Sequence, residues 1–459
     1  MSTTLKLPKI NEQHTDPNAK MAAALRRFFD APTADGWVRL EVQATTSDLL
    51  RWLRQQPQAQ KVYWSDRLDT VEVVGVGVAY LVRHPSWEIV DQSMQQLFDQ
   101  MHAVISADYP HMRFYGGLRF DPTCADESIW ERYGDYHFTL PRFELLKTGD
   151  ETYFACNFHA DESAERILRE LNYLRFDDPA LDETVPKPLH RVDYPDRKRW
   201  NYNINAALDA FERGDAHKVV MARKVTVDAD ADMEPMQILQ MLQKVTPASF
   251  HFCYQIDDNQ GYIGASPERL YQREGVNVFS DALAGTRKRG ATPEEDQALE
   301  DDLFYSKKER HEHQLVLDSI VDEFEELCDD VQVAGTTHVL KLAQLQHLYN
   351  RVEGRLTEGV GDADIMSLLH PTPAVGGFPR EVALRMLREL EPFERGWYAG
   401  PVGWVGRDSA EFCVAIRSGL VHGNKLTVYS GAGIVPGSTP EQEWDEIENK
   451  LLNFRKALL

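Results

Sequence analysis

The sequence predicts a mixed α+β fold with large antiparallel sheets. Strand-like and helix-like runs are mixed after residue 200, without the regular βαβ alternation of a doubly wound parallel sheet. Before residue 200, β-runs flank one amphipathic helical pattern. The pattern predicts strands at residues 71–82, 114–120, 143–146, 218–227, 250–256, 262–265, 276–279, 397–405, 412–421 and 426–431, and helices at residues 89–104, 306–327 and 439–459.

The chain has one linker-like stretch. Residues 177–199 contain four prolines and separate an N-terminal part, residues 1–199, from a C-terminal part, residues 200–459. A chain of 459 residues that is 42% hydrophobic is long enough to form a substantial core.

The charge balance argues against a nucleic acid partner. Lys and Arg total 50 against 73 Asp and Glu, which gives a net charge of −23. No basic stretch is longer than residues 287–289, whereas a nucleic acid surface needs a basic patch. The simplest explanation for the excess of acidic residues is that a large net charge keeps the protein soluble.

Nothing in the sequence predicts secretion or membrane insertion. Residues 1–11 lack the apolar core of a signal peptide, and the longest apolar run, residues 71–82, is too short to cross a bilayer. The five cysteines are widely spaced and form no CxxC motif, which argues against a disulfide framework or a zinc site. We therefore expect a cytoplasmic protein.

The predicted helix at residues 306–327 begins with a Ser-x-x-Glu capping box formed by Ser306 and Glu309. Glu309 and Glu312 are three residues apart, so both lie on one side of this helix.

The predicted helix at residues 439–459 has a similar start, with Ser438 and Glu441 as its capping box and Pro440 in its first turn. Glu443 and Glu446 are again three residues apart.

These acids have two interpretations. They form solvated helix faces, with Glu309 serving only as a cap, or the two helices bring their carboxylates together around a hard cation. Oxygen ligands without a nearby Cys or His cluster favour Mg²⁺ over zinc.

Lys218 and Glu268 are candidate acid–base groups. Lys218 lies in the otherwise apolar segment HKVVMAR, either at the wet start of a strand or desolvated and able to act as a general base. Glu268 follows a predicted strand in the segment GASPERL, as a general acid or a turn carboxylate. Glycine turns at residues 282–287 and 429–434 expose N–H groups that could hold a carboxylate.

Taken together, these segments resemble the chorismate-utilising enzymes: the isochorismate, salicylate, anthranilate and aminodeoxychorismate synthases. The resemblance covers residues 203–459 and is looser upstream, chiefly around residues 115–122. It implies a single two-lobed α+β domain similar to aminodeoxychorismate synthase, with large antiparallel sheets packed together and helices outside. The matching segments are HKVVMAR, GASPERL, ALAGTRKRG, SKKERHEH, HPTPAVGGFPR, ERGWYAGPVGW, EFCVAIRSG and YSGAGIVPGSTPEQEWDEIENK.

The resemblance implies a role for each matching residue. Lys218 would be the base that activates the attacking water, and Glu268 the acid that protonates the departing hydroxyl. The substrate-binding positions would be Thr286, Ala374, Tyr398, Arg417, Gly431, Gly433 and Lys450.

The resemblance also implies a magnesium site. Glu312 and Glu446 would bind Mg²⁺, with Glu309 and Glu443 in the same shell, directly or through water. Chorismate carries two carboxylates, which cationic side chains and a metal would balance.

Within the family, the isochorismate synthases fit best. Residues 370–377 resemble that branch, whereas anthranilate synthases carry an HPxGTxSGxP-like segment there. Ala284 stands where aminodeoxychorismate synthases carry a nucleophilic lysine. The C-terminal segment is most similar to isochorismate synthases of the menaquinone pathway. The expected reaction adds water at C2 of chorismate while the C4 hydroxyl leaves, and it needs no glutamine amidotransferase partner.

Three alternatives remain. A salicylate synthase makes isochorismate first and then eliminates pyruvate at the same site. An isochorismate synthase of a siderophore pathway would catalyse the same reaction for another product. The third is an inactive relative kept as a regulatory subunit, but such a copy would be expected to have lost the base, the acid or a ligand, and all are present here.

Overall fold

The computed structural model describes residues 16–458, except residue 47 and residues 85–92, 124–128, 178–180 and 343–344. Within this part of the chain the fold is α+β, as predicted, and all strand pairings are antiparallel. The helices are α1 Pro17–Asp30, α2 Leu49–Gln55, α3 Met94–His102, α4 Ala164–Leu171, α5 Arg197–Glu212, α6 Pro235–Val245, α7 Pro293–Tyr305, α8 Lys307–Leu327, α9 Asp362–Leu369, α10 Arg380–Leu390 and α11 Pro440–Leu458. The strands are β1 Trp37–Gln43, β2 Lys61–Ser65, β3 Val71–His84, β4 Phe114–Leu118, β5 Tyr136–Thr148, β6 Glu151–His159, β7 Pro188–Tyr194, β8 Lys218–Ala229, β9 Phe250–Asp257, β10 Gln260–Ser266, β11 Arg269–Glu274, β12 Asn277–Lys288, β13 Cys328–Lys341, β14 Leu345–Leu356, β15 Gly377–Phe378, β16 Pro401–Val405, β17 Ser409–Val414, β18 Ser418–His422 and β19 Lys425–Ile434.

The described strands form one continuous hydrogen-bonded sheet with two branches that meet at strand β5, and these branches are named the first and the second sheet. One edge of β5 pairs with β3, while the other pairs with β4 over residues 136–139 and with β6 over residues 143–148. From β3, the first sheet continues through β2, β9, β10, β18, β19, β8 and β7. From β4, the second sheet continues through β16, β17, β11, β12, β14 and β13.

The chain crosses between the two sheets at two turns, between β10 and β11 and between β17 and β18. Glu268 lies in the first turn and Arg417 in the second. The turns are tied to each other's strands, because Val414 N donates to Glu268 O at 3.0 Å and Ala265 N donates to Arg417 O at 3.1 Å. The crossings therefore bring a candidate acid and a candidate substrate-binding arginine to the same place.

A buried aromatic cluster supports this region. The rings of Trp130, Tyr133, Tyr262 and Trp397 pack edge to face, with centroid distances from 5.1 to 6.2 Å. Such pairs add to the free energy gained from burying their large apolar surfaces. Trp130 also donates from Nε1 to the hydroxyl of Tyr429 at 3.2 Å. The cluster therefore contacts the first sheet through Tyr262 on β10 and Tyr429 on β19.

Three sequence predictions need correction. Residues 412–421 form two strands, because Arg417 adopts a left-handed backbone with φ of 51° between β17 and β18. The strand predicted at residues 397–405 begins only at Pro401. The linker-like residues 177–199 contain β7, whose backbone hydrogen bonds are supplied by β8, and the start of α5.

Some predictions fall outside the described residues. The first part of the helix predicted at residues 89–104 lies there, and α3 covers Met94–His102 of it. Cys124 also lies there, while the other four cysteines are buried and form no disulfide. Among the described helices, none is long and apolar enough to cross a membrane.

Candidate active site

Helix α8 presents two of the predicted carboxylates. Only the Ser306 half of the predicted capping box forms at its start: Ser306 Oγ accepts from Glu309 N at 3.4 Å, whereas Ser306 N donates to Leu303 O and not to the Glu309 carboxylate. Glu309 also accepts from Thr286 N at 3.2 Å and from Arg287 Nη1 at 2.8 Å. One turn further, Glu312 Oε1 lies 2.9 Å from Lys218 Nζ. The acids therefore face the sheets and not solvent.

Helix α11 is capped differently from the prediction. Thr439, not Ser438, caps it, since Thr439 Oγ1 accepts from Gln442 N at 3.4 Å. Ser438 Oγ accepts from Val435 N at 3.2 Å instead. Pro440 is the first helical residue, where its missing N–H costs no hydrogen bond. The predicted capping box was wrong because two adjacent residues, Ser438 and Thr439, both carry a hydroxyl that can cap the helix.

The acids of α11 are paired with lysines. Lys450 Nζ lies 2.8 Å from Glu446 Oε1 and donates to Gly431 O at 2.9 Å. Glu443 is buried and lies 3.1 Å from Lys308 Nζ. Burial, together with the negative charge of Glu446, raises the pKa of Glu443.

Lys218 is the first residue of β8, yet it is 0% exposed. The interpretation as a solvated strand start is therefore wrong. Gly433, on the neighbouring β19, is required beside it: a Cβ there would overlap Glu312 Oε1 and lie 3.2 Å from Lys218 Cε. The missing side chain makes room for the Lys218–Glu312 ion pair.

Glu268 is 5% exposed, in the turn between β10 and β11. Its N–H donates to Ser266 Oγ at 3.2 Å, which fixes the turn after Pro267. Burial raises the pKa of Glu268 to about 8; the positive charge of Lys218 opposes this shift and the negative charge of Asp281 adds to it. Glu268 is therefore mainly protonated at neutral pH.

His347, on β14, is a site residue that the sequence interpretation missed. Its Nδ1 lies 3.0 Å from Gly285 O, and its Nε2 lies 2.9 Å from Arg417 Nη2. Burial, reinforced by the charge of Arg417, lowers the pKa of His347 to about 3, so the ring is neutral. A neutral ring donates from Nδ1 and accepts from Arg417 at Nε2. No local sequence signal distinguished it, because β14 mixes polar and apolar residues along its whole length.

The N–H groups of Gly431 and Gly433 face away from β8. Their strand partners, Ala222 and Val220, donate elsewhere: Ala222 N to Glu391 Oε1 at 2.7 Å and Val220 N to Gly376 O at 3.0 Å. In an antiparallel pair, opposed residues either bond to each other or both point outward. Both glycine N–H groups therefore point toward the open edge of β19, as carboxylate binding requires.

Most of the predicted site residues line one pocket. Glu443 does not line it, and Lys218 lies behind its wall, in contact with Glu312. Ala284 also lines the pocket, so no lysine occupies that position. The predicted residues in the lining are Glu268, Thr286, Glu309, Glu312, Ala374, Tyr398, Arg417, Gly431, Gly433, Glu446 and Lys450.

Tyr398 and Arg417 both line the pocket. The Tyr398 ring stacks on Tyr429 with 5.4 Å between centroids and 17° between planes. Burial lowers the pKa of Arg417 to about 10, which leaves its guanidinium positively charged at neutral pH. With Lys450, Arg417 gives the pocket two cations suited to an anionic ligand.

The carboxylates fit a hard cation by their chemistry. Among the described residues, no group of three or more His, Cys, Asp and Glu side chains is already arranged around a metal position. Glu309, Glu312 and Glu446 nevertheless line the same pocket, and Glu443 Oε2 is buried without a hydrogen-bond partner. Oxygen-only donors of this kind suit Mg²⁺.

Comparison with known proteins identifies the family. The sequence profile of the family described as "Chorismate binding enzyme" matches residues 23–459. Isochorismate synthase 2, a chloroplastic protein of Arabidopsis thaliana, is 35% identical over 95% of this chain and 85% of its own length. Isochorismate synthase MenF of Bacillus subtilis is 31% identical over 87% of this chain and 88% of its own.

A solved structure shares the whole fold. The structure of MenF, the menaquinone-specific isochorismate synthase from Escherichia coli, superposes with a TM-score of 0.85 and 26% sequence identity. The match covers 97% of this chain and 100% of that chain. The chain therefore belongs to the chorismate binding enzyme family.

Proposed function

We propose that this protein is an isochorismate synthase, which adds water at C2 of chorismate while the C4 hydroxyl leaves. The observation that carries the proposal is the buried Lys218 and Glu268, electrostatically coupled beside a pocket that contains Arg417 and Lys450. Relatives named isochorismate synthase, which are 29–35% identical over most of the chain, support it.

Lys218 is the proposed base. It takes a proton from the attacking water as the new C2–O bond forms. Only a neutral amine can accept this proton, so the 2.9 Å ion pair with Glu312 has to be loosened in the substrate complex.

Glu268 is the proposed acid. Its raised pKa keeps the carboxyl protonated at neutral pH, so it can give its proton to the C4 oxygen as the C4–O bond breaks. The hydroxyl then leaves as water. The reaction consumes one water and releases one, and the protons of Lys218 and Glu268 are restored by exchange with solvent.

The remaining pocket residues hold the substrate. Arg417 and Lys450, which line the pocket, would bind the two carboxylates of chorismate, with the N–H groups of Gly431 and Gly433 as further donors. Thr286, Ala374 and Tyr398 complete the binding surface. Ala284 argues against aminodeoxychorismate synthase activity, and the segment at residues 370–377 argues against anthranilate synthase activity. Together they support water as the nucleophile, without a glutamine amidotransferase partner.

Magnesium is the proposed cofactor. Glu312 and Glu446 would bind it, with Glu309 and Glu443 contributing directly or through water. When bound, the cation would supply positive charge opposite the carboxylates of the substrate.

We assign the product to menaquinone synthesis, supported by the similarity to the menaquinone-specific enzyme of Escherichia coli. Deletion of the gene in its own host tests this assignment. The deletion should lower menaquinone, expression of this chain should restore it, and a Lys218→Ala version should not. Unchanged menaquinone in the deletion strain, with loss of another product made from isochorismate, would contradict the pathway assignment alone.

A further inference from the structure

Arg67 reaches the back of the catalytic turn from the N-terminal part of the chain. It lies between β2 and β3, in a turn organised by Asp66, whose Oδ1 accepts from Thr70 N at 2.7 Å and from Val71 N at 3.1 Å. The Arg67 side chain is 13% exposed. The turn thus projects this arginine inward, toward residues of the second sheet.

Arg67 makes two charged or polar contacts there. Nη1 donates to Pro267 O at 2.8 Å, directly before Glu268 in the chain. Nη2 lies 2.9 Å from Asp281 Oδ2, and the Asp281 side chain is fully buried. Tyr349 OH donates to the other Asp281 oxygen at 2.8 Å. One guanidinium therefore joins the turn that carries Glu268 to a buried anion on β12.

We propose that Arg67 is a positioning residue for the acid step: it holds the Ser266–Pro267–Glu268 turn against β12 and neutralises Asp281 behind it. The inference rests on the proposed function of Glu268. Because Pro267 has no N–H, backbone tethers of this turn are fewer, and the bond from Arg67 to Pro267 O replaces one. A planar guanidinium holds its N–H donors in a fixed fork, so one side chain serves both acceptors in a set geometry.

Asp281 links this contact to the chemistry. Its negative charge helps to raise the pKa of Glu268, and Arg67 is the cation paired with it. Removal of Arg67 leaves that charge uncompensated, so Glu268 should hold its proton to higher pH. The titratable and charged groups that interact electrostatically with Glu268 are Lys218 on β8, Asp281 on β12, Lys450 on α11, Arg417, Tyr398 and Cys413.

Arg67→Ala and Arg67→Lys in the full-length enzyme test the proposal. Arg67→Ala should lower kcat about tenfold through loss of positioning. In the profile of kcat/KM against pH, the limb on the alkaline side should move to higher pH by about half a unit or more. Arg67→Lys should return the limb toward its wild-type position and recover part of kcat. A merely structural role would reduce the active fraction without moving the limb.

Two controls keep the result interpretable. Arg132→Ala removes a solvent-exposed arginine that is also paired with an aspartate, Asp257, and should leave kcat and the limb unchanged. If Arg67→Ala is unstable because Asp281 is left as a buried unpaired charge, Arg67→Ala/Asp281→Asn removes that charge. This double variant should still show the reduced kcat.

The outcomes separate this inference from the proposed function. Wild-type enzyme that forms isochorismate, with a folded Arg67→Ala variant of unchanged kcat and limb, would overturn the role of Arg67 alone. A reduced kcat with an unmoved limb and no recovery in Arg67→Lys would also overturn it. Wild-type enzyme that forms no isochorismate would overturn the proposed function instead.

Discussion

Lys218 Nζ lies 2.9 Å from Glu312 Oε1, so the proposed base is in direct contact with a proposed metal ligand. Although burial opposes it, the positive charges of Lys218, Lys450 and Lys308 hold the pKa of Glu312 below its usual value. Glu312 is therefore an anion that either a lysine or a divalent cation can neutralise. The state of this one carboxylate connects cofactor binding to proton transfer.

We expect activity to depend on a divalent cation. EDTA should abolish turnover and Mg²⁺ should restore it, and Glu312→Gln should raise the Mg²⁺ concentration needed for half-maximal activity at least tenfold, since a neutral amide is a weaker ligand. Glu325→Gln, at an exposed position of the same helix, is the control. Full activity in chelator would refute the magnesium assignment.

Lys218→Ala and Glu268→Gln should each lower kcat on the order of 100-fold or more, because each removes a positioned proton-transfer group. Arg417 and Lys450 remain in both variants, so chorismate should still bind. Lys198→Ala and Glu274→Gln change exposed residues and should behave like wild type. Circular dichroism and melting temperature check folding. A folded Lys218→Ala enzyme with wild-type kcat would remove this lysine from the mechanism.

The dependence of kcat/KM on pH should reflect the protonation of Glu268. Its pKa is raised to about 8, so the required protonated form is present at neutral pH and is lost as pH rises through that value. We therefore expect kcat/KM to fall above about pH 8. The residual activity of Glu268→Gln should lack this limb, since an amide does not titrate. A limb that persists unchanged in Glu268→Gln would assign it to another group.

Gly433→Ala should damage the site without a change of charge. The added Cβ would overlap Glu312 Oε1 and approach Lys218 Cε to 3.2 Å, which forces the ion pair apart. We expect kcat to fall about tenfold or more, as misplacement of a catalytic group does. Gly361→Ala has open space around its Cβ and serves as the control. Equal activities of the two variants would contradict the tight packing proposed here.

The local part of the site could be predicted from sequence. The cap of α8 by Ser306 and the shared face of Glu309 and Glu312 depend on residues three apart, which sequence displays directly. The meeting of α8 with α11 in one pocket was one of two interpretations of their acids, and only the family resemblance favoured it. No local pattern encodes a contact between segments so distant in the chain.

The long-range contacts could not be predicted. His347 was missed because its partners, Gly285 and Arg417, reach it only through strand pairing and a turn with a left-handed residue. Arg67 was missed for the same reason, since Pro267 and Asp281 are about 200 residues away in the chain. Such contacts depend on sheet register, which a single sequence specifies only indirectly.

The central claim is tested most directly by the identity of the product. Purified protein incubated with chorismate, Mg²⁺ and ammonium should accumulate isochorismate, with no anthranilate, when the mixture is separated by chromatography and each product is identified by mass and ultraviolet spectrum. Anthranilate, or salicylate with pyruvate as the dominant products at neutral pH, would contradict the assignment, as would unchanged chorismate with folded, metal-loaded enzyme.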